Sequence, residues 1–294
     1  MIKLSILLPT YNNDCYAFVA ELHRQAENVE GLTFEILVAD DGSTDGQALA
    51  SNHRLNALRH CRFIVRKENA GRAVIRNFLA RQAQYDHLLF LDSDMTVESP
   101  LFVCEYLDHS NAPVVYGGYV VQGQGSRLRG NLRYRYEMKS APLHTCGQRQ
   151  KHPYADFHTS NFMIHRDIML AHPFDERFRN YGYEDVFFGR VLRENGIGIT
   201  HIDNPVVFAD FETNAQFVAK TEEGLHTLSA FSSELEGYSS LLAFASRLRR
   251  LHLAGVVKAF YLPFAPLLRR HLSGCNPSLL VFKFYKLGYF LSIR

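Results

Sequence analysis

Phe34-Glu35-Ile36-Leu37-Val38-Ala39-Asp40-Asp41-Gly42-Ser43 is an apolar run that ends in two carboxylates and a turn, and His87-Leu88-Leu89-Phe90-Leu91-Asp92-Ser93-Asp94 repeats the pattern. Each apolar run reads as a buried strand, which places each acidic pair at a strand's carboxyl end. Open α/β sheets bind their ligands at that edge. Asp92 and Asp94 point the same way if the chain stays extended, and hard oxygen donors of this kind suit Mg²⁺ or Mn²⁺ bridging to phosphate. The pattern predicts a site for a divalent cation and a phosphorylated ligand.

The flanking segments supply the rest of such a sheet. Residues 4–8 form a strand stopped by Pro9, Phe18, Leu22 and Ala26 share a helical face, and 48–58 and 73–84 read as helices around a strand at 62–65. This βαβ alternation predicts a mostly parallel sheet flanked by helices. Beyond Asp94 the pattern is mixed. A strand is expected over 113–121, a helix over 184–194 closed by Asn195-Gly196, and short strands over 197–202 and 206–208.

A chain of 294 residues with 47% hydrophobic content can bury a full core. Five scattered cysteines without a C-x-x-C pair argue against a zinc site or a disulfide framework and for a reducing compartment. The first residues are too short an apolar stretch for a signal peptide. The net charge of +2 hides an asymmetry: residues 241–294 hold nine Lys or Arg and no Asp or Glu, leaving 23 basic and 30 acidic residues in 1–240. The tail has no uncharged apolar window of transmembrane length. Leu241, Phe244, Leu248, Leu251 and Gly255 share a helical stripe opposite Arg247, Arg250 and Lys258. The expected organisation is a domain over 1–225 and a basic helical extension over 226–294. The extension suits an anionic membrane surface or packing on the protein; nothing else in the chain supports nucleic-acid binding.

Each motif also has a plainer reading. Asp-Asp-Gly-Ser by itself is turn chemistry. Asp92-Ser93-Asp94-Met95-Thr96 also fits the Asp-x-Asp-x-Thr signature of haloacid-dehalogenase-type phosphatases. Glu184-Asp185 opens a helix, where acids oppose the macrodipole with or without a function; the functional reading makes one of them a general base. The basic residues of 127–139 (Arg127, Arg129, Arg133, Arg135, Lys139) read as a solvated face, with phosphate or lipid contact the sharper alternative. His144, His152, His158 and His165 lack metal-ligand spacing.

Taken in order, these segments resemble the inverting family 2 glycosyltransferases of GT-A fold. The resemblance runs through Pro9-Thr10-Tyr11-Asn12, Val38-Ala39-Asp40-Asp41-Gly42-Ser43-Thr44-Asp45, Asn69-Ala70-Gly71 with Arg76-Asn77, Leu91-Asp92-Ser93-Asp94, Thr159-Ser160-Asn161, Phe174-Asp175-Glu176-Arg177-Phe178 and Gly182-Tyr183-Glu184-Asp185, and covers about residues 1–215. It implies that Pro9, Thr10, Tyr11, Asp40 and Asp41 cradle the base and ribose of a nucleotide sugar, UDP by family habit, with Asn69, Gly71 and Ser93 beside them. Arg72 or Arg76 would lie near the diphosphate, and Asp92 and Asp94 would meet ribose and Mn²⁺ or Mg²⁺. Asp185 would be the catalytic base with Glu184 orienting hydroxyls, and Asn161 and Tyr183 would contact donor or acceptor sugar. It further implies a glycan or lipid-linked acceptor and a place in bacterial polysaccharide biosynthesis; the basic extension adds the expectation of a peripheral position on the cytoplasmic face of a membrane. An oligomer is compatible with this.

One departure stands out. Metal-dependent relatives often carry a His shortly after Asn-Pro-Val as a further ligand, whereas Asn204-Pro205-Val206-Val207 is followed here by Phe208. That keeps a non-catalytic nucleotide-sugar or glycan-binding protein as the alternative. His201 lies upstream and is not given the ligand role.

Overall fold

The computed structural model describes residues 2–123, 125, 128–155 and 157–294. Its first half runs β1 (Lys3–Thr10), α1 (Tyr16–Glu27), β2 (Thr33–Asp40), α2 (Gly46–His53), β3 (Cys61–Val65), α3 (Arg72–Gln82), β4 (His87–Leu91), β5 (Met95–Thr96), α4 (Phe102–Leu107), β6 (Val114–Tyr116) and β7 (Tyr119–Val121). Then follow α5 (Leu132–Ser140), α6 (Cys146–Arg149), β8 (Asn161–His165), α7 (Arg166–Ala171), α8 (Glu184–Glu194), β9 (Ile199–His201) and β10 (Val206–Phe208). The chain ends in α9 (Asn214–Ala230), α10 (Ser240–Arg250), α11 (Ala254–Tyr261), α12 (Ala265–Leu272) and α13 (Leu279–Ser292).

The chain forms two compact units. The first comprises Met1–Gln122, Leu143–Arg179 and Phe188–Asp210; the second comprises Gly123–Pro142, Asn180–Phe187 and Phe211–Arg294. The boundary expected after residue 225 falls inside the 17-residue helix α9 instead.

The first unit holds a seven-stranded sheet in the order β3-β2-β1-β4-β8-β6-β9 and a three-stranded sheet β5-β10-β7. In the larger sheet only β8 runs against its neighbours, so it is mixed and mostly parallel as expected. Central strands covered on both faces require near-continuous apolar runs, and Leu4, Ile6, Leu7, Leu8, Leu88, Leu89 and Phe90 are wholly buried. One face packs on α3 through Ala73, Ile75 and Leu79 and on an aromatic group from elsewhere in the chain. There Phe90 stacks on Phe162 with centroids 5.0 Å apart and Phe174 on Phe188 at 4.2 Å. Each such ring contributes about 1.5–3 kcal/mol by burial.

Two expectations change at strand level. Pro9 does not stop β1, because the β4 ladder ends at Leu7 and leaves that side of β1 unpaired where the proline lies. The strand expected over 113–121 breaks at Gly117-Gly118 into β6 and β7, which join different sheets. A Cβ at Gly117 would sit 2.3 Å from the Asn204 carbonyl oxygen, and Gly118 has φ +83°.

In the second unit α13 packs against α9, α11, α12, α10 and α5. Its core joins Leu132, Val218, Tyr261, Leu272, Phe282 and Tyr285, and Gly288 lets α13 approach the Tyr261 ring, where a Cβ would stand 2.3 Å from the ring carbon. The basic segment is only in part the expected solvated face: Arg129 and Lys139 are exposed, but its other described members are engaged. Arg133 makes a 2.9 Å bond to Glu212, Arg135 donates to the Pro277 carbonyl at 2.5 Å, and Tyr134 is buried; Arg127 lies outside the described residues. The buried face of α10 is Leu242 and Ala245, while Phe244 and Leu251 of the expected stripe are exposed. Among the described residues no single helix is long and apolar enough to cross a membrane, and α10 meets the run Ala254–Leu272 at a 110° bend.

Candidate functional site

The carboxyl ends of β1, β2 and β4 bring Thr10, Asp40 and Asp92 to one edge of the larger sheet, with Thr10 paired to Asp40 in register. Most of the acidic groups there are engaged in building the edge. Asp40, which is buried, accepts from the Gly42 and Ser43 amides at 3.1 and 2.8 Å and from the Ser43 hydroxyl. Asp41, also buried, takes an ion pair from Arg66 at 2.8 Å and amide bonds from Ala70 and Gly71, the latter at 2.9 Å. The Asp40 carboxylate therefore closes loop 40–43 on itself, and that of Asp41 ties this loop to loop 66–71. Gly42 sits where the loops meet: with φ +78°, its Cβ would stand 2.6 Å from the Glu68 carbonyl carbon.

The remaining loops join the same network. Asn12, in the left-handed region at φ +49°, accepts from the Thr44 and Asp45 amides at 2.8 and 3.0 Å. Asn13 donates to the Ser93 carbonyl at 2.7 Å, and Thr10 donates to the Asn13 carbonyl at 3.2 Å. Tyr11 is 48% exposed, a ring face open to stacking. Asn69 accepts from the Gly71 amide at 3.1 Å, and Gly71 opens α3 at φ +92° with only 2.7 Å between its would-be Cβ and the Arg179 carbonyl oxygen.

The two arginines of α3 differ in a way the spacing did not resolve. Arg76 is 1% exposed and donates through Nη2 to Asp92 Oδ1 at 2.6 Å. Arg72, one turn earlier, is exposed. Asp92 also donates its amide to the Ser160 carbonyl at 3.0 Å, which holds it rigidly, whereas Asp94 is exposed. Phe208 pairs with Met95, the residue after Asp94, and is buried at 2%. No group of three or more His, Cys, Asp or Glu among the described residues could hold a metal ion. Asp94, with the second oxygen of Asp92, is the hard-donor set this edge presents; a cation kept largely by diphosphate oxygens and water fits such a sparse set.

Asn161 is not at a ligand face. It is 0% exposed, accepts from the Tyr106 hydroxyl at 2.6 Å, and donates to the Gly118 and Asn204 carbonyls at 2.7 and 2.9 Å. Every polar group of its amide is used to lock the β6–β7 break. Arg149 does the same from another side, donating to the carbonyls of His144, Gly117 and Ile202 at 2.6, 3.1 and 2.7 Å. Its Nε donates to His201 Nδ1, so the proton of His201 sits on Nε2 and is donated to the Pro153 carbonyl at 2.9 Å. His201 is thus a structural residue. Neither Arg149 nor Tyr106 carried a sequence signal, because each acts on carbonyls many positions away.

Within the second unit, the segment Tyr181-Gly182-Tyr183-Glu184-Asp185 is held on α9. Tyr181 donates its amide to Glu223 at 2.8 Å, and Thr227 donates to the Tyr181 carbonyl at 3.0 Å. Gly182 and Tyr183 have φ +94° and +69°. A left-handed tyrosine is costly, and strain of this kind persists only where neighbours impose it. Burial and then a hydrogen bond to Ser239 act on the Tyr183 phenol, burial dominating, and its pKa is pushed up to about 12. Glu184 is buried in the first turn of α8, and Asp185 beside it is half-buried. The helix amides favour ionised carboxylates at that end.

A family model described as glycosyl transferase family 2 matches residues 5–171, more than half of the chain. The chain belongs to that family. The phosphatase alternative falls with this assignment. Among curated members, poly(ribitol-phosphate) beta-N-acetylglucosaminyltransferase TarP of Staphylococcus aureus is 28% identical over 137 residues, 42% of this chain and 39% of that one. An uncharacterized glycosyltransferase of Haemophilus influenzae is 32% identical over 94 residues, 31% and 36% of the two chains. The matches thus span about two fifths or less of these relatives' length. Two solved structures share the fold over 98% of this family 2 chain. S. aureus TarS 1-349 has a TM-score of 0.54 at 16% identity over 89% of its chain. The mannosyltransferase PcManGT from Pyrobaculum calidifontis, solved with GDP-Man and Mn²⁺, has 0.60 at 14% over 84%. The fold is the GT-A fold expected from the sequence.

Proposed function

We propose that this family 2 protein transfers a sugar from a nucleotide-diphosphate sugar, with UDP as the nucleotide, to a hydroxyl of a glycan or lipid-linked acceptor, inverting the anomeric carbon. The observation that carries the reading is Asp92 pinned by the buried Arg76 while Asp94 stays exposed at the carboxyl edge of the sheet. That edge offers an exposed ring at Tyr11 for the base and, in Arg72, an exposed guanidinium for the diphosphate. Two solved proteins of the same fold support the donor class: TarS in complex with UDP-GlcNAc and PcManGT with GDP-Man and Mn²⁺.

A divalent cation held by Asp94 and Asp92 would neutralise charge growing on the leaving diphosphate. Asp185 is the candidate base for the proton of the attacking hydroxyl; a carboxylate suffices because the hydroxyl turns acidic as its bond to carbon forms. Glu184 orients hydroxyls beside it. A single in-line displacement gives inversion. The protein works on the cytoplasmic side, peripheral to a membrane.

The test is the thermal midpoint with UDP, GDP, CDP and dTDP, each with and without Mn²⁺, since a ligand selective for the folded state stabilises it by about 2.7 kcal/mol at a hundredfold its dissociation constant. UDP with Mn²⁺ is expected to raise the midpoint, and Asp94→Ala to remove the metal-dependent part. Asp185→Asn should keep that shift while turnover drops about 10²–10⁴-fold. A UDP shift with no turnover to lose would favour the binding-protein alternative.

A further inference from the structure

The second unit carries an apolar surface that its own core does not use. The run Ala254–Leu272 is helical from α11 through a short 3₁₀ link, Leu262–Phe264, into α12. Tyr261, Ala265, Leu268 and Leu272 recur at helical spacing and belong to the core around α13. Leu253, Val256, Phe260, Phe264 and Leu267 recur at the same spacing on the other side and are 46–67% exposed. Ten of the eighteen exposed large apolar side chains among the described residues fall between Phe244 and Phe284. A helix apolar on both sides needs a second apolar medium.

Charge identifies that medium. Around the stripe Arg247, Arg250, Arg270 and Lys283 are exposed and form no ion pair among the described residues. Across 241–294 nine basic residues face no acid of their own segment. A second copy of the chain would bring the same positive surface and be repelled by it. A neutral apolar partner would leave the charges unused. An anionic bilayer satisfies both features, taking the apolar stripe to the acyl boundary and the guanidinium groups to lipid phosphates. The 110° bend between α10 and Ala254–Leu272 excludes a straight span by this pair and suits elements lying along a surface.

We infer that the Leu253–Leu267 stripe, flanked by Arg247, Arg250 and Arg270, inserts into the headgroup layer of an anionic membrane. This goes beyond the transferase reading and does not depend on the donor site. The chain contains no tryptophan, so Phe264→Trp makes a single reporter and Leu101→Trp, 60% exposed in the first unit, a matched control. With the full chain and vesicles of phosphatidylcholine with or without phosphatidylglycerol, Phe264→Trp emission should shift to the blue on the anionic vesicles only and be quenched by brominated acyl chains. Leu101→Trp should not respond. Each basic residue near an anionic surface is worth about fivefold in partitioning, so Arg247→Gln, Arg250→Gln and Arg270→Gln combined should weaken flotation with these vesicles about a hundredfold. Phe260→Ser with Phe264→Ser, both on the exposed side, should abolish flotation and leave the UDP midpoint shift intact. The inference is overturned if the chain stays in the aqueous fraction, if it binds neutral and anionic vesicles alike, or if the Phe264→Trp shift tracks protein concentration without lipid. The last result would assign the stripe to self-association. A UDP shift without flotation refutes this inference alone, and flotation without a UDP shift refutes only the donor reading.

Discussion

Replacing Arg76 by methionine tests whether the Asp92 position is built by a buried cation. Methionine follows the path of the arginine stem, so little cavity is left, and what disappears is the charge that faces Asp92 Oδ1 at 2.6 Å. Breaking a buried pair from one side costs about 3–5 kcal/mol, because the remaining charge is left uncompensated. Here the Arg76 side chain is 1% exposed but that of Asp92 is 19%. Water can therefore solvate part of the orphaned carboxylate, which puts the expected loss at the lower end, about 3 kcal/mol. At roughly 2–4 °C per kcal/mol for a domain of this size, the midpoint should fall by about 6–12 °C. Scanning calorimetry of wild type, Arg76→Met, Asp92→Asn and the double variant gives the coupling energy, and Arg76→Lys should recover part of the loss. A second readout is the UDP and Mn²⁺ midpoint shift, which should shrink in Arg76→Met because Asp92 is no longer held. Arg76→Met within about 2 °C of wild type with an undiminished UDP shift would refute the reasoning, since less than about 1 kcal/mol would then be at stake.

Three further outcomes follow from the geometry. Asn161→Ala strips the donors from the Gly118 and Asn204 carbonyls and the acceptor from Tyr106; it should cost about 3 kcal/mol or more, read in the calorimetric midpoint, and a neutral result would deny the locking role. The Tyr183 phenol is held neutral up to about pH 12, above its unfolded value near 10. Its contribution is fully present below about pH 10 and is lost as pH rises through the folded value. Tyr183→Phe should remove one late-titrating phenol from the alkaline absorbance curve and make stability fall less steeply above pH 10, and an unchanged curve would contradict the assignment. Phe208→His puts an imidazole on the strand residue paired with Met95, next to Asp94. It should cost about 1–3 kcal/mol in buried apolar surface yet tighten Mn²⁺ binding in the presence of UDP, measured by titration calorimetry. No gain, or a gain that survives Asp94→Ala, would separate Phe208 from the cation position.

Much of the fold was legible in the residues because burial and periodicity are local signals. Leu88–Leu91 reads as a covered strand and is one, and α8 matches the expected 184–194 because Glu184-Asp185 opens it and Gly196, at φ +69°, closes it. The helices of the tail were legible as helices, but not which faces they bury: Leu242 and Ala245 turn inward rather than the stripe that contains Phe244. That choice depends on where α11 and α13 lie, which helical periodicity within α10 does not encode.

The same division runs through the candidate site. The alternation of apolar runs and acidic turns was enough to put Asp40, Asp41, Asp92 and Asp94 at one sheet edge, since a strand's end is a property of its own few residues. Only the tertiary structure decided which of them are used internally. Asp41 answers amides and a guanidinium 25–30 residues away, Asp92 answers Arg76 on α3, 16 residues away, and Asn161 binds carbonyls 43 residues distant in sequence. A buried polar group must find a partner wherever the packed chain supplies one. Which segment supplies it is settled when sheets and helices come together, and no stretch of sequence read alone contains that information.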